Sequence, residues 1–159
     1  MAALTGQEVV SDAARRLRSR FSTAEFAEIY KDKPVQSMKT PCIFIHSVET
    51  THTPELRGYG WWDHIIDFRC HPGKMQTNIH TWARSLGPMI VECVEHLTVD
   101  NQQVKSKNAT WRVENDVLHV IMSYRYRVLQ KPDEAPDMLK GIVSIRDLHL
   151  TALKDYGFS

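Results

Sequence analysis

The chain has 159 residues, 42% apolar and 25% charged, the profile of one globular domain able to bury about two-thirds of its unfolded surface. A formal net charge of +1 excludes a global attraction to nucleic acid or an anionic membrane. Three cysteines, Cys42, Cys70 and Cys93, are odd in number and form no C-x-x-C pair, which argues against a disulfide framework and a structural zinc site. Each lies in an apolar run, where a free thiol behaves as a small buried hydrophobe. The opening "MAALTGQEVV" lacks the charged and apolar segments of a signal peptide, and no apolar run approaches membrane-spanning length. The expectation is a soluble protein made in a reducing cytoplasm.

Thr5 and Glu8 hold capping-box spacing, and Val9, Val10, Ala13, Leu17 and Phe21 recur at three- and four-residue steps. Together they predict a helix over 6–21. The four arginines of "ARRLRSR" lie opposite this stripe and read as a solvated face, with a local binding patch as the alternative. "AEIY" reads as a short strand, and "KDKPVQSMKTP" as a loop because its two prolines block regular pairing. "CIFIHSV" is apolar and β-rich, the pattern of a central strand. The polar "ETTHTPELRG" that follows reads as a long mobile hairpin loop.

Residues 59–71 are rich in aromatic and β-branched types and end at Pro72-Gly73, so a strand is expected there. Ile79, Trp82, Leu86, Ile90, Cys93 and Leu97 then fall at helical spacing, placing a second helix within 74–97. Gly87-Pro88 interrupts it, predicting a kink or two short helices. "TVDNQQ" reads as a turn. Residues 104–114 and 117–129 read as two long strands joined by Asn115-Asp116, residues that tolerate the left-handed conformation of a tight hairpin. Leu118, Val120, Met122, Tyr124, Tyr126 and Val128 alternate without a break. The fold class expected is α+β, a mainly antiparallel sheet of about four to five strands packed against two helices. Residues 1–131 form the domain, and 132–159, beyond a proline-broken linker, form an apolar extension expected to contact a neighbouring subunit.

The stretch "WWDHIIDF" carries the sharpest chemical question. On a helix Asp63 and Asp67 would share a face one turn apart and could share a metal. On a strand they share a face but stand about 13 Å apart, too far for one ion. As a strand, Trp62, His64, Ile66, Phe68 and Cys70 form one face and read as core. Trp61, Asp63, Ile65, Asp67 and Arg69 form the other, an apolar centre ringed by charge that suits a protein contact.

The eight histidines are scattered, with no H-x-x-x-H or H-E-x-x-H motif on a helix. There is no G-x-S-x-G and no phosphate loop. A Cys–His pair could assemble in space, for instance around Cys70, but no motif marks one. Along one strand, Tyr124 and Tyr126 point away from Arg125 and Arg127, as Trp111 does from Arg112. The arrangement reads as core aromatics beneath an exposed basic face rather than a base-stacking platform.

The order of segments, with "PCIFI" at 41–45, "IDFRCHP" at 66–72, "LTVDNQQV" at 97–104 and the hairpin at 111–126, resembles the tail terminator family of long-tailed bacteriophages and prophages. The resemblance spans about Ile29 to Met138 and rests on structural motifs. Gly87-Pro88 departs from the family's continuous helix, and the segment after Lys140 does not align. The resemblance implies a structural protein with no enzymatic role and no cofactor. It implies a homo-oligomeric ring, typically a hexamer, that caps the tail tube, stops its polymerisation and joins the tail to the head connector or stopper protein. DNA would pass through the bore without sequence-specific binding, and no membrane is involved.

The implied location is the tail–neck junction of the virion, after assembly in the host cytoplasm. Trp61, Asp63, Ile65 and Asp67, with Ile142, Val143 and Ile145 of the extension, are the candidate subunit interface. Glu49, His52, Glu55 and Arg57 are the candidate loop contacting the tube or neck. Another neck protein, a stopper or adaptor on the portal side, is the alternative. A small metal-dependent enzyme built from scattered His, Asp and Cys is a second.

Overall fold

In the computed structural model of the chain, the residues described are 6–31 and 38–129. Its spine is a pair of antiparallel strands, β3 (Tyr59–His71) and β6 (Val117–Leu129), in register from Tyr59 opposite Leu129 to Cys70 opposite Leu118. The other elements are helix α1 (Gly6–Arg20), β1 (Glu28–Tyr30), β2 (Cys42–Pro54), helix α2 (Ile79–Val94), β4 (His96–Val99) and β5 (Gln102–Glu114). Six strands form one sheet in the order β1-β2-β3-β6-β5-β4. The α+β class and the two helices agree with the sequence reading. Among the described residues the sheet has six strands where four to five were expected, and it is mainly antiparallel as expected, β1 alone pairing parallel, with β2.

Alternation decides the core. Ile43 and Ile45 of β2, Ile66, Phe68 and Cys70 of β3, and Leu118 to Val128 of β6 turn to one side. There they meet Val9, Val10, Ala13 and Leu17 of α1 and Ala83, Leu86, Ile90 and Val94 of α2 in one apolar cluster. Tyr124, fully buried, donates its hydroxyl to the Val94 carbonyl at 2.6 Å, which satisfies one of the orphan acceptors at the end of α2.

Four local expectations change. The second helix is shorter, because Leu97 fits a helical step from Cys93 but also the strand alternation of Leu97 and Val99, both buried in β4. "TVDNQQ" therefore holds the end of one strand and the start of the next around a tight turn at Asp100-Asn101, with φ of 51° and 61°. Gly87-Pro88 does not split the helix; both lie inside one continuous α2. The segment after Val48 is not a loop. β2 runs on to Pro54, paired with β3 to its end, and only a 3-10 turn at Leu56–Gly58 separates the two strands. Its polar composition reflects exposure: β1 flanks β2 only at Cys42–Phe44, so the rest has no neighbour on that side among the described residues. For the same reason β2 is interior at its start and an edge afterwards, while β3 and β6 are the central strands. Ile142, Val143 and Ile145 lie outside the described residues.

The arginine run is neither a bare solvated face nor a patch. Asp12, buried in α1, accepts from Arg16 Nε at 2.8 Å and from the Thr98 backbone N–H at 2.8 Å, and pairs with Arg15. Arg16 also donates to Thr98 Oγ1 at 3.0 Å, so this cluster fixes α1 to β4. Arg18 donates to the Phe26 carbonyl at 3.1 Å, and Arg20 lies over the Phe21 ring at 5.3 Å. Gly87 has its own reason. A Cβ there would stand 2.9 Å from the Trp111 indole, so the glycine lets β5 lay a tryptophan against the helix backbone.

Two stability outcomes follow. Asp12→Ala strands the Thr98 N–H and two arginines and should cost about 2–3 kcal/mol in urea unfolding. Gly87→Val drives a side chain into Trp111 and should cost about 1–3 kcal/mol.

Candidate assembly surface

The sheet face opposite the helices is built from the second set of alternating residues: Tyr59, Trp61, Asp63, Ile65, Asp67 and Arg69 of β3 beside His119, Ile121, Ser123, Arg125 and Arg127 of β6. Antiparallel pairing places Trp61 opposite Arg127 and Asp63 opposite Arg125. The arginines that looked bare along their own strand therefore find aromatic and acidic partners across it. Arg125 sits over the Trp61 ring at 4.6 Å and near Asp63 at 3.7 Å. Arg127 lies over Tyr59 at 4.1 Å and Trp61 at 5.9 Å, and donates to Glu55 at 2.8 Å. Such cation–π contacts at partly exposed sites contribute about 0.5–1 kcal/mol each.

Lower on the same face Asp67 is nearly buried. It accepts from His119 Nδ1 at 2.9 Å and from Arg69 Nε at 3.1 Å through one oxygen, while Oδ1 is buried with no hydrogen-bond partner. Asp63 and Asp67 therefore share a face, as a strand requires, but each has its own cationic partners. Among the described residues no group of three or more His, Cys, Asp or Glu is arranged to hold a metal ion. Tyr59 and His119 belong to this surface and were not singled out in the sequence, while Arg125 and Arg127 were read there as an exposed basic face without their partners. The signal for them is the cross-strand register, which needs the β3–β6 pairing to be known first.

The four candidate loop residues separate. Glu49 stands on β2 opposite Ile65, next to a bulge at Val48. His52 also stands on β2, its ring stacked on Trp62 at 4.4 Å and lying where a Cβ on Gly60 would fall. Glu55 and Arg57 are at the hairpin tip, where Arg57 takes a φ of 65° and neighbouring Leu56 is 89% exposed. Of the four, only Glu55 and Arg57 sit on a turn.

On the core side His64 is buried, as alternation predicts. Its ring nitrogens are hydrogen-bonded to Thr50 Oγ1 at 3.0 Å and the Tyr126 hydroxyl at 2.6 Å, satisfying both ends of a neutral imidazole. Burial pushes its pKa down, against the opposing charge of Asp63. His71 is lowered too, by burial and then by His119 and Arg69. The cysteines are poor nucleophiles. Burial raises the Cys42 thiol to about 11, Glu28 adding to it, and raises Cys70 and Cys93 as well. Elsewhere lies an open groove of about 1240 Å³ of mixed lining, with Phe21, Phe26, Met38 and Trp82 beside polar Lys39 and Asn78.

This surface is therefore suited to contact: partly buried apolar side chains, charges already paired and, among the described residues, no helix above them. The sequence matches the family described as phage tail terminator protein over residues 8–136. The chain belongs to the phage tail terminator family. That family is structural, which makes the protein a component of a bacteriophage virion. Search of curated proteins finds none that matches it. The matched range takes in both helices and all six strands, so the terminator domain includes the open sheet face and the hairpin tip.

Buried His64 and half-buried His71 give the terminator a pH dependence. Their folded pKa values lie below the ordinary 6.5, so on acidification the unfolded chain takes up protons first. Their contribution is whole above about 6.5 and declines as the pH falls towards the folded values. Asp12 behaves separately. Burial raises it, but the bonds from Arg16, the Thr98 backbone and Arg15 outweigh this and hold it below the ordinary 3.8, so its contribution is lost only in stronger acid. The melting temperature should stay level from pH 8 to 7 and fall between 6.5 and 5. His64→Gln should shrink that fall, as read by thermal unfolding of both chains at pH 8 and pH 5.

Proposed function

We propose that this terminator assembles as a ring, a hexamer, that seats on the end of the tail tube, stops its growth and presents a surface to the head connector or stopper protein. The observation that carries this reading is the sheet face left uncovered among the described residues, where Trp61, Ile65 and Ile121 are rimmed by Asp63–Arg125, Arg127–Glu55 and Asp67–His119. An apolar centre with a polar rim is how subunit contacts are built. Rings of identical subunits need a contact between two different patches whose rotation closes. Ile142, Val143 and Ile145 supply a second apolar element that reaches a neighbour. The hairpin tip, with Glu55, exposed Leu56 and Arg57, is the contact offered to the tube or neck, and Glu49 and His52 stiffen the strand behind it. DNA passes through the bore without being read, the complex sits at the tail–neck junction, and assembly takes place in the host cytoplasm.

Light scattering of the purified protein, with and without its tail tube protein, read together with negative-stain images, tests this. A ring, free or on the tube end, is the expected result. Trp61→Glu combined with Ile65→Lys should give folded single subunits that leave the tube uncapped. Rings that persist in this double variant would remove the open face from the subunit contact. A parent chain that ignores the tube and binds a portal-side protein would make it a stopper or adaptor instead.

A further inference from the structure

The two outer strands of the long antiparallel set β2-β3-β6-β5 are each covered at one end only. β1 pairs with β2 at Cys42–Phe44, and β4 pairs with β5 at Gln102–Lys105. Beyond those points, 46–54 of β2 and 106–114 of β5 have no strand on their outer side among the described residues. These are stretches of equal length on opposite sides of one sheet. Each presents backbone N–H and C=O groups of the kind that templates pairing with another chain, apart from the Ser106 N–H, which donates to the Glu95 carbonyl at 2.8 Å, and the Asn108 carbonyl, which accepts from Ser106 Oγ at 2.7 Å.

We propose that the 46–54 edge of one subunit pairs with the 106–114 edge of a second copy, so that the sheet continues from subunit to subunit around the ring; this rests on the ring reading above. Strand direction permits it. β2, β3, β6 and β5 alternate in sense, so β5 of one copy meets β2 of the next as an antiparallel pair with the sheet faces preserved. Charge favours it over self-pairing. The β2 edge carries Glu49 and no lysine or arginine, whereas the β5 edge carries Lys107 and Arg112, the latter paired with Glu114 at 3.3 Å. Two β5 edges would set like charges together; β5 against β2 sets Lys107 and Arg112 near Glu49.

The bulges agree as well. β2 is bulged between Ser47 and Glu49 and β5 between Ser106 and Asn108, on either side of the row formed by Ile65 and Ser123. Bulges at one height on both outer strands bend the sheet there, and curvature is what a sheet closing on itself needs. Val48, 53% exposed, and Trp111, 44% exposed, stand on these two edges as apolar side chains that a neighbouring strand would cover. Because the contact joins unlike edges, it propagates until rotation closes it.

The test uses cysteine pairs in the full chain. Thr51 and Thr53 of β2 and Asn108 and Thr110 of β5 all project on the open face. Thr51→Cys or Thr53→Cys is combined with Asn108→Cys or Thr110→Cys, assembled with tail tube protein, oxidised mildly and run on denaturing gels beside the parent and the single variants. The expected result is a ladder of covalent multimers reaching the full ring in at least one double variant, with the single variants no different from the parent. Intact rings by negative stain with no ladder in any double variant would overturn the edge pairing while leaving the ring itself standing. Dimers from a single variant, or a cross-link confined within one chain, would overturn it too, by assigning the edges to self-pairing or to the chain's own remainder. If the parent forms no ring with or without the tube, the ring reading fails and takes this pairing with it.

Discussion

The long ladder between β3 and β6 is the constraint on which the remaining structure depends. It fixes, row by row, which residue of "WWDHIIDF" meets which residue of the alternating strand, and thereby divides both strands into a core side and an open side. A slip of one residue would turn His64 and Phe68 outward and bring Asp63 and Asp67 into the apolar cluster. Charge burial makes that arrangement far too costly. Everything placed on either face, including the contacts of Arg125 and Arg127, inherits this register.

The helices then use only one of the two faces. α1 is held to the small β4 strand by Asp12, and α2 is held to the sheet by Tyr124 at its end and by the indole of Trp111 against Gly87. Among the described residues what remains is a sheet with one finished side, one open side and two half-covered edges. An enzyme of this size gathers polar groups into a concave site. Here the polar groups are spread over the sheet in pairs, and Cys42 and Cys70 are buried, Cys93 half-buried, each with its thiol pKa raised by burial. The features left over among the described residues are surfaces and strand edges, and these are where the proposed assembly contacts are placed, in a protein whose family is structural.

Much of this was legible residue by residue where one periodicity dominated. The stripe of α1, the strand at 59–71 and the alternation of 117–129 all coincide with elements of the structure, and His64 takes the core place its position gave it. The readings that failed did so where a residue fits two patterns or where polarity had a second cause. Leu97 satisfies both a helical and a strand period. "ETTHTP" is polar because it is an edge, not because it is a loop. Gly87-Pro88 carries the signature of a break, yet the glycine is a notch for Trp111 and the helix runs through.

The sequence by itself determined the α+β class, the main strands, the absence of motif-borne chemistry and the resemblance that names the family, because these depend on local spacing along the chain. Only the tertiary structure decided which strands are neighbours. It thereby decided that Arg125 and Arg127 lie on Trp61 and Tyr59, that Asp67 is paired with His119, and that 46–54 and 106–114 lack a strand beside them among the described residues. The physical reason is that a side chain's face follows from its own strand, whereas its partners are set by register with residues some sixty positions away.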